Sequence, residues 1–209
     1  SANTSAPTGM MLGTGTKVVA TEKMHAQGNM VMTQNALDIA VSGDGFFQIL
    51  QPDGTVAYTR DGSFKLSPTG QLITSGGALL QPTIQVPNNA QSITIGADGV
   101  VSAKIFGTAE QQVLGNLQLA RFINPAGLES IGQNLLRANA ASGPVQQLKP
   151  GTNGAGQLVQ GALEASNVNV VEEMVNMISL GRAYDSAKKI LDVSDDSAGK
   201  AIQYLGGQA

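Results

Sequence analysis

The stretch LDIAVSGDGFFQI, Leu37 to Ile49, decides how the rest of the chain is read. Two apolar runs flank Gly43-Asp44-Gly45. Such a core suits a phosphate-cradling loop, a calcium loop or a tight bend between strands. The flanking runs have strand length, which favours the bend. An incoming strand, Leu37–Val41, hands over to Phe46–Leu50; the two glycines supply backbone freedom, and Asp44 is expected to hydrogen-bond locally. Phe46 or Phe47 is expected to anchor a core. Asp-Gly recurs at Asp53-Gly54, Asp61-Gly62 and Asp98-Gly99, and each reads as a structural turn of the same scaffold.

Working outward, FFQIL, QPDGT and VAYTR form a strand, a turn and a strand, with Pro52 presetting φ and Gly54 accepting a positive one. FKL, QLIT, LLQPTIQVP, SITIG, VVSAKIF and VLGNLQLARFI follow, separated by turn signals at intervals of roughly 8–12 residues. No helix-length amphipathic run interrupts Leu37 to Ile123. The reading is mainly β: an antiparallel sandwich or barrel-like module, closed by Asn124-Pro125-Ala126-Gly127. Ser142 to Gly156 reads as a Gly/Pro-rich connector and QLVQGALEAS as one more strand.

At Asn169 the period changes. Asn169 with Glu172 fits a capping box, and Glu172-Glu173 complement a helix N-terminus. Met174, Met177, Gly181, Tyr184, Ala187 and Leu191 recur at steps of three and four, predicting a long C-terminal helix. From Val170 to Leu205 it would run roughly 54 Å at ~1.5 Å per residue. A single apolar stripe of that length suits a coiled-coil partner, and these six residues are the expected assembly interface. DVSDDSAGK, with paired aspartates and Gly199, is the expected weak point, with a break around Ser194–Gly199. The organisation predicted is therefore an extended lead-in (1–35), a β domain (36–143), a connector with return strand (144–167) and a coiled-coil-type helix (168–209).

Composition narrows the function classes. The 209 residues are 42% hydrophobic but only 4% aromatic, with 26 glycines, no tryptophan and a net charge of −3. No basic cluster marks a nucleic-acid footprint. The chain has no cysteine and one histidine, His25, so a Cys/His metal site is excluded and a catalytic triad would rest on His25 alone. LGTGTK (12–17) lacks the phosphate-loop spacing. Asp44, Asp53 and Asp61 approach a nonapeptide spacing, but each Asp-Gly stands alone among different neighbours, unlike a calcium roll. No catalytic residue, cofactor or metal is assigned. No run approaches the ~18 apolar residues of a membrane span, and the start lacks a cleavable signal's pattern.

Several long motifs in fixed order then carry a likeness: LDIAVSGDGFFQI, YTRDGSFKL (58–66), LVQGALEASNVNVVEEMVNMI (158–178) and RAYDSAKK (182–189). LGTGTKVVATEKMHAQGNMVMTQNALDIAV (12–41) and INPAGLESIGQN (123–134) extend it over almost the whole chain. Together they resemble the flagellar basal-body rod and hook family, and within it the subunits of the distal rod. The resemblance implies a structural role, not an enzymatic one. Subunits would assemble helically into a shaft that carries torque from motor to hook, with terminal helices as an inner coiled-coil tube and the β domain outside. It implies identical subunits, proximal rod proteins, hook protein and the L- and P-ring proteins as partners. Delivery across the periplasm would use the flagellar type III export apparatus, without a cleaved signal. Relative to the family pattern, the chain is expected to lack the N-terminal helix that partners the C-terminal one. The alternatives are a hook or proximal-rod relative and, from another class, a secreted β module binding calcium or carbohydrate.

Overall fold

A computed structural model describes residues 27–108, 110–168 and 170–206. Asn169, and with it the expected capping box, lies outside the described residues, as do LGTGTK and His25. The strands are β1 (Met30–Met32), β2 (Ile39–Ser42), β3 (Phe47–Leu50), β4 (Val56–Thr59), β5 (Phe64–Leu66), β6 (Leu72–Thr74), β7 (Leu79–Gln81) and β8 (Ala90–Ile95). They continue as β9 (Val100–Ile105), β10 (Gln111–Asn116), β11 (Leu119–Arg121), β12 (Glu129–Gly132), β13 (Leu135–Arg137), β14 (Gln146–Leu148), β15 (Gln157–Gln160) and β16 (Ala162–Glu164). One helix, α1 (Val170–Gly206), follows.

All strand pairs are antiparallel, as the mainly β reading requires. The largest sheet has seven strands in the order β12-β13-β4-β3-β7-β6-β5; smaller ladders join β10-β9-β8, β11-β14, β15-β2 and β1-β16. The sheets do not close into a barrel. The main core lies between the large sheet, through Phe47, Ile49, Phe64, Leu72 and Leu80, and the opposing strands, through Ile39, Val41, Ile95, Val101, Leu119 and Leu158.

The opening stretch positions this core. Successive strand side chains point to opposite faces, so Phe46 and Phe47 enter different clusters. Phe47 meets Phe64 edge-on at 5.1 Å. Phe46 joins Tyr58, Phe122 and Leu128 in a second cluster, with Phe46–Phe122 and Tyr58–Phe122 ring centroids at 6.0 and 4.8 Å. Both phenylalanines therefore anchor a core, one on each side. Full burial of each contributes about 1.5–3 kcal/mol.

Four readings of the elements need correction. VLGNLQLARFI is two strands in different ladders: β10 carries a bulge between Val113 and Gly115, and the Leu117 amide leaves it to donate to Gly99 O at 2.7 Å. The run after Gly156 is likewise two strands, broken at Gly161, whose φ is 74°. Its carbonyl accepts from Thr33 and its amide donates to Asp38 O, both at 2.8 Å. Asn124–Gly127 does not close the β series. A short 3-10 turn there leads into the β12–β13 hairpin, whose Gln133-Asn134 turn holds positive φ at both residues, and β13 extends the large sheet. The connector contains β14, paired with β11. The fifth departure is favourable: α1 continues through Ser194–Gly199 without a break. A single interior glycine costs only about 1 kcal/mol, which a helix of this length absorbs.

Candidate functional site

The Gly43-Asp44-Gly45 bend is one side of a corner where three segments meet. Both glycines have positive φ, 105° and 140°. At Gly43 a side chain would also press on the Gly156 backbone, and at Gly45 on Leu119. The second side is the outgoing strand β16, which pairs with the third side, β1, in the register Met30↔Glu164. Gly28 sits so close to Ala165 that a Cβ there would fall 1.8 Å from its carbonyl oxygen.

Arg60, just past the end of β4, ties this corner together. Its Nη1 donates to the carbonyls of Gly43 and Gly45, both at 3.0 Å, and Nη2 to Val41 O at 3.2 Å. Its Nε pairs with Glu164 Oε2 at 2.8 Å. The guanidinium also lies over the Phe46 ring, 5.9 Å from its centroid. The other oxygen of Glu164 accepts from the Gly28 amide at 2.8 Å. The side chains are only 22% and 10% exposed, so these charge-assisted bonds are shielded from much of the solvent that weakens a surface pair. An arginine fork suits this geometry because one planar group satisfies carbonyls and a carboxylate at once. Sequence reasoning missed Arg60 and Glu164. Glu164 is the lone charge of LVQGALEAS, whereas Arg60 stands beside Asp61 and Lys65 in YTRDGSFKL and has no distinguishing signal.

The Asp-Gly pairs separate into two kinds. Asp53-Gly54 and Asp98-Gly99 are hairpin turns, with glycine φ of 83° and 87°. The Thr55 hydroxyl and then the Thr55 amide hold the Asp53 carboxyl below its ordinary pKa. The Val100 amide, and then Lys149, do the same for Asp98. Asp61-Gly62 is not a hairpin turn. Gly62 has no positive φ; it is a place where a Cβ would lie 1.7 Å from Ile39 O, and Asp61 accepts from the Ser63 amide and hydroxyl. Asp44 also departs from expectation: its carboxylate faces Arg121 at 3.9 Å, and its backbone carbonyl accepts from Gly156. Among the described residues no group of three or more acidic or histidine side chains is placed to hold a metal.

The helix stripe is laid out on a continuous α1, but it does not cover the β module. Met174, Met177 and Tyr184 are 60%, 77% and 72% exposed, and Gly181 and Ala187 are exposed as well. Leu191 lies in the helix, with its side chain outside the described residues. A second apolar row, Val171, Val175 and Ile178, runs beside the stripe at the i, i+4, i+7 spacing of one face. The apolar surface is therefore wider than the single stripe expected. No helix among the described residues is long and apolar enough to cross a membrane.

The sequence of the β module and that of the helix each match a known family model. Residues 40–103 match the model for the flagellar hook protein FlgE/F/G D1 domain, and residues 159–204 match the C-terminal model of the flagellar basal body rod FlgEFG protein. The flagellar basal-body rod protein FlgG of Buchnera aphidicola subsp. Acyrthosiphon pisum is 47% identical over 203 residues, covering 97% of this chain and 78% of that protein. The chain belongs to the FlgG family of flagellar basal-body rod proteins. FlgG of Borreliella burgdorferi is 47% identical over 201 residues, with 95% and 76% of the two chains covered. FlgG of Caulobacter vibrioides is 42% identical over 189 residues, covering 90% and 72%. The matched family models together take in Arg60, Glu164 and most of α1. FlgG-family proteins are structural rod components rather than enzymes.

Proposed function

We propose that this chain, a structural subunit of the bacterial flagellar rod, builds the distal rod by helical self-assembly and uses the apolar faces of α1 as its main assembly surface. The observation that supports this is the 37-residue helix whose described apolar side chains stay exposed beside a β module with its own complete core. Exposed apolar rows of this extent favour burial against other helices. Met174, Met177, Gly181, Tyr184, Ala187 and Leu191 form the proposed seam, with Gly181 and Ala187 allowing close approach. In the basal body the shaft would cross the periplasm and carry torque from motor to hook. Its neighbours there would be identical subunits, proximal rod proteins, hook protein and the L- and P-ring proteins. The type III export apparatus would deliver the subunit without a cleaved signal. A torque shaft needs many repeated contacts and no reaction chemistry.

The test is a full-length gene carrying Met177→Asp and Tyr184→Asp in a bacterium lacking its own copy. Isolated basal bodies should show rods that stop short, with the exported but unassembled variant recovered from the periplasm and swimming lost. Full-length rods with normal swimming would overturn the assignment of this seam.

A further inference from the structure

The corner at Arg60 is also the root of α1, and its construction has a consequence for how stiffly the helix is mounted. Arg60 comes from the end of β4, which sits inside the seven-stranded sheet between β13 and β3. From that rigid base it reaches two segments that are otherwise held at the edge: the Gly43–Gly45 bend, whose positive-φ carbonyls point out of any ladder, and β16 through Glu164. Glu164 in turn passes the restraint to the incoming strand through the Gly28 amide. The Ala165 amide donates to Asn29 O at 2.8 Å, and α1 begins a short reach later, at Val170.

The start of β16 is fixed by buried Ala162 and by the Gly161 bonds to Thr33 and Asp38; its far end, at Glu164, rests on β1 and on Arg60. Its ladder to β1 covers three residue pairs. On its other flank lies an open cleft of ≈ 540 Å³ lined by Arg60, Ser130, Asn134, Leu136 and Leu163. An outgoing strand beside open space has room to swing unless a side chain holds it.

We propose that Arg60, acting through Glu164, is a positioning residue that locks the joint between the β module and α1, fixing the angle at which the helix leaves. Lysine cannot replace it, because a single ammonium does not span three carbonyls and a carboxylate together. The proposal rests on this corner's geometry and not on rod assembly, and it is measured on the isolated chain, so its failure leaves the assembly reading untouched.

The chain has no cysteine, so spin labels placed at Thr108→Cys, in the exposed β9–β10 turn, and Ser186→Cys, on α1, report the joint without further changes. The pulsed-EPR distance distribution of the parent should be a single narrow peak. Arg60→Ala and Arg60→Lys should both lose that peak to a broad distribution while the near-ultraviolet dichroism of the β module persists. Glu164→Gln, which keeps one acceptor oxygen for Arg60 or Gly28 but turns an NH2 group toward the other donor, should broaden it less than Glu164→Ala, which keeps neither. Should Arg60→Ala fail to fold, the two Glu164 variants carry the test alone. An unchanged narrow peak in the folded variants, or a parent already as broad as they are, overturns the proposal.

Discussion

Asp53-Gly54 and Asp61-Gly62 are alike as sequence and opposite in what the glycine does, so alanine at each position separates two physical costs. Gly54 has a φ of +83° and a Cβ there meets nothing within 4 Å. Alanine pays only for left-handed backbone, about 1–2 kcal/mol, partly offset by about 0.4–1 kcal/mol from a less free unfolded chain. The net loss is about 1 kcal/mol. At Gly62 the backbone is permissive and the space is not. A Cβ falls 1.7 Å from Ile39 O and 2.7 Å from its carbonyl carbon, and neither atom can rotate away. Ile39 is 0% exposed, and its amide donates to Gly62 O at 3.0 Å. Relieving the clash moves β2, which strains that bond at about 1–3 kcal/mol and opens the core around Ile39 at about 2–5 kcal/mol. Gly62→Ala should therefore lose about 4 kcal/mol or more, a size reserved for core or backbone disruption. At about 2–4 °C per kcal/mol for a chain of this length, Gly54→Ala lowers the midpoint by about 2–4 °C and Gly62→Ala by at least about 8 °C. Thermal and urea unfolding followed by near-ultraviolet dichroism measures both. Equal losses at the two sites, or a loss below about 1 kcal/mol at Gly62, would refute the reasoning.

Phe47→Ala should destabilise by about 3–5 kcal/mol, whereas Phe106→Ala, at a side chain 73% exposed, should stay within about 0.5 kcal/mol; urea midpoints compare them. Acid sensitivity follows from Asp53 and Asp98, both held below the ordinary carboxylate pKa. Their contribution is fully present above the unfolded value of about 3.9 and is lost as pH falls through the lower folded value. The double variant Asp53→Asn, Asp98→Asn should therefore show a shallower acid limb in its urea midpoint than the parent, and identical limbs would contradict the assignment. Calorimetric titration with calcium should give no micromolar binding; such binding, abolished by Asp53→Asn or Asp61→Asn, would restore a ligand role for the Asp-Gly series.

The sequence alone determined the β class, the bend at Gly43–Gly45 and the extent of the long helix. Each rests on local physics: alternating apolar runs, glycines that tolerate positive φ, and steps of three and four residues along α1. What it left open lies between segments distant in the chain. Asn124–Gly127 reads as the close of the β series because nothing local announces the short strands beyond it; β13 is a strand because Leu136 pairs across to Tyr58. Asp61-Gly62 read as a turn because dipeptides carry no information about Ile39, more than twenty positions away. The opening Gly-Asp-Gly is a bend, as its residues indicate. Only tertiary structure shows what holds it: Arg60, seventeen positions on, whose fork gathers its carbonyls and reaches Glu164 across 104 positions. Charge-assisted bonds of that kind are set by where folding brings the donors and acceptors, which no spacing rule along the chain contains.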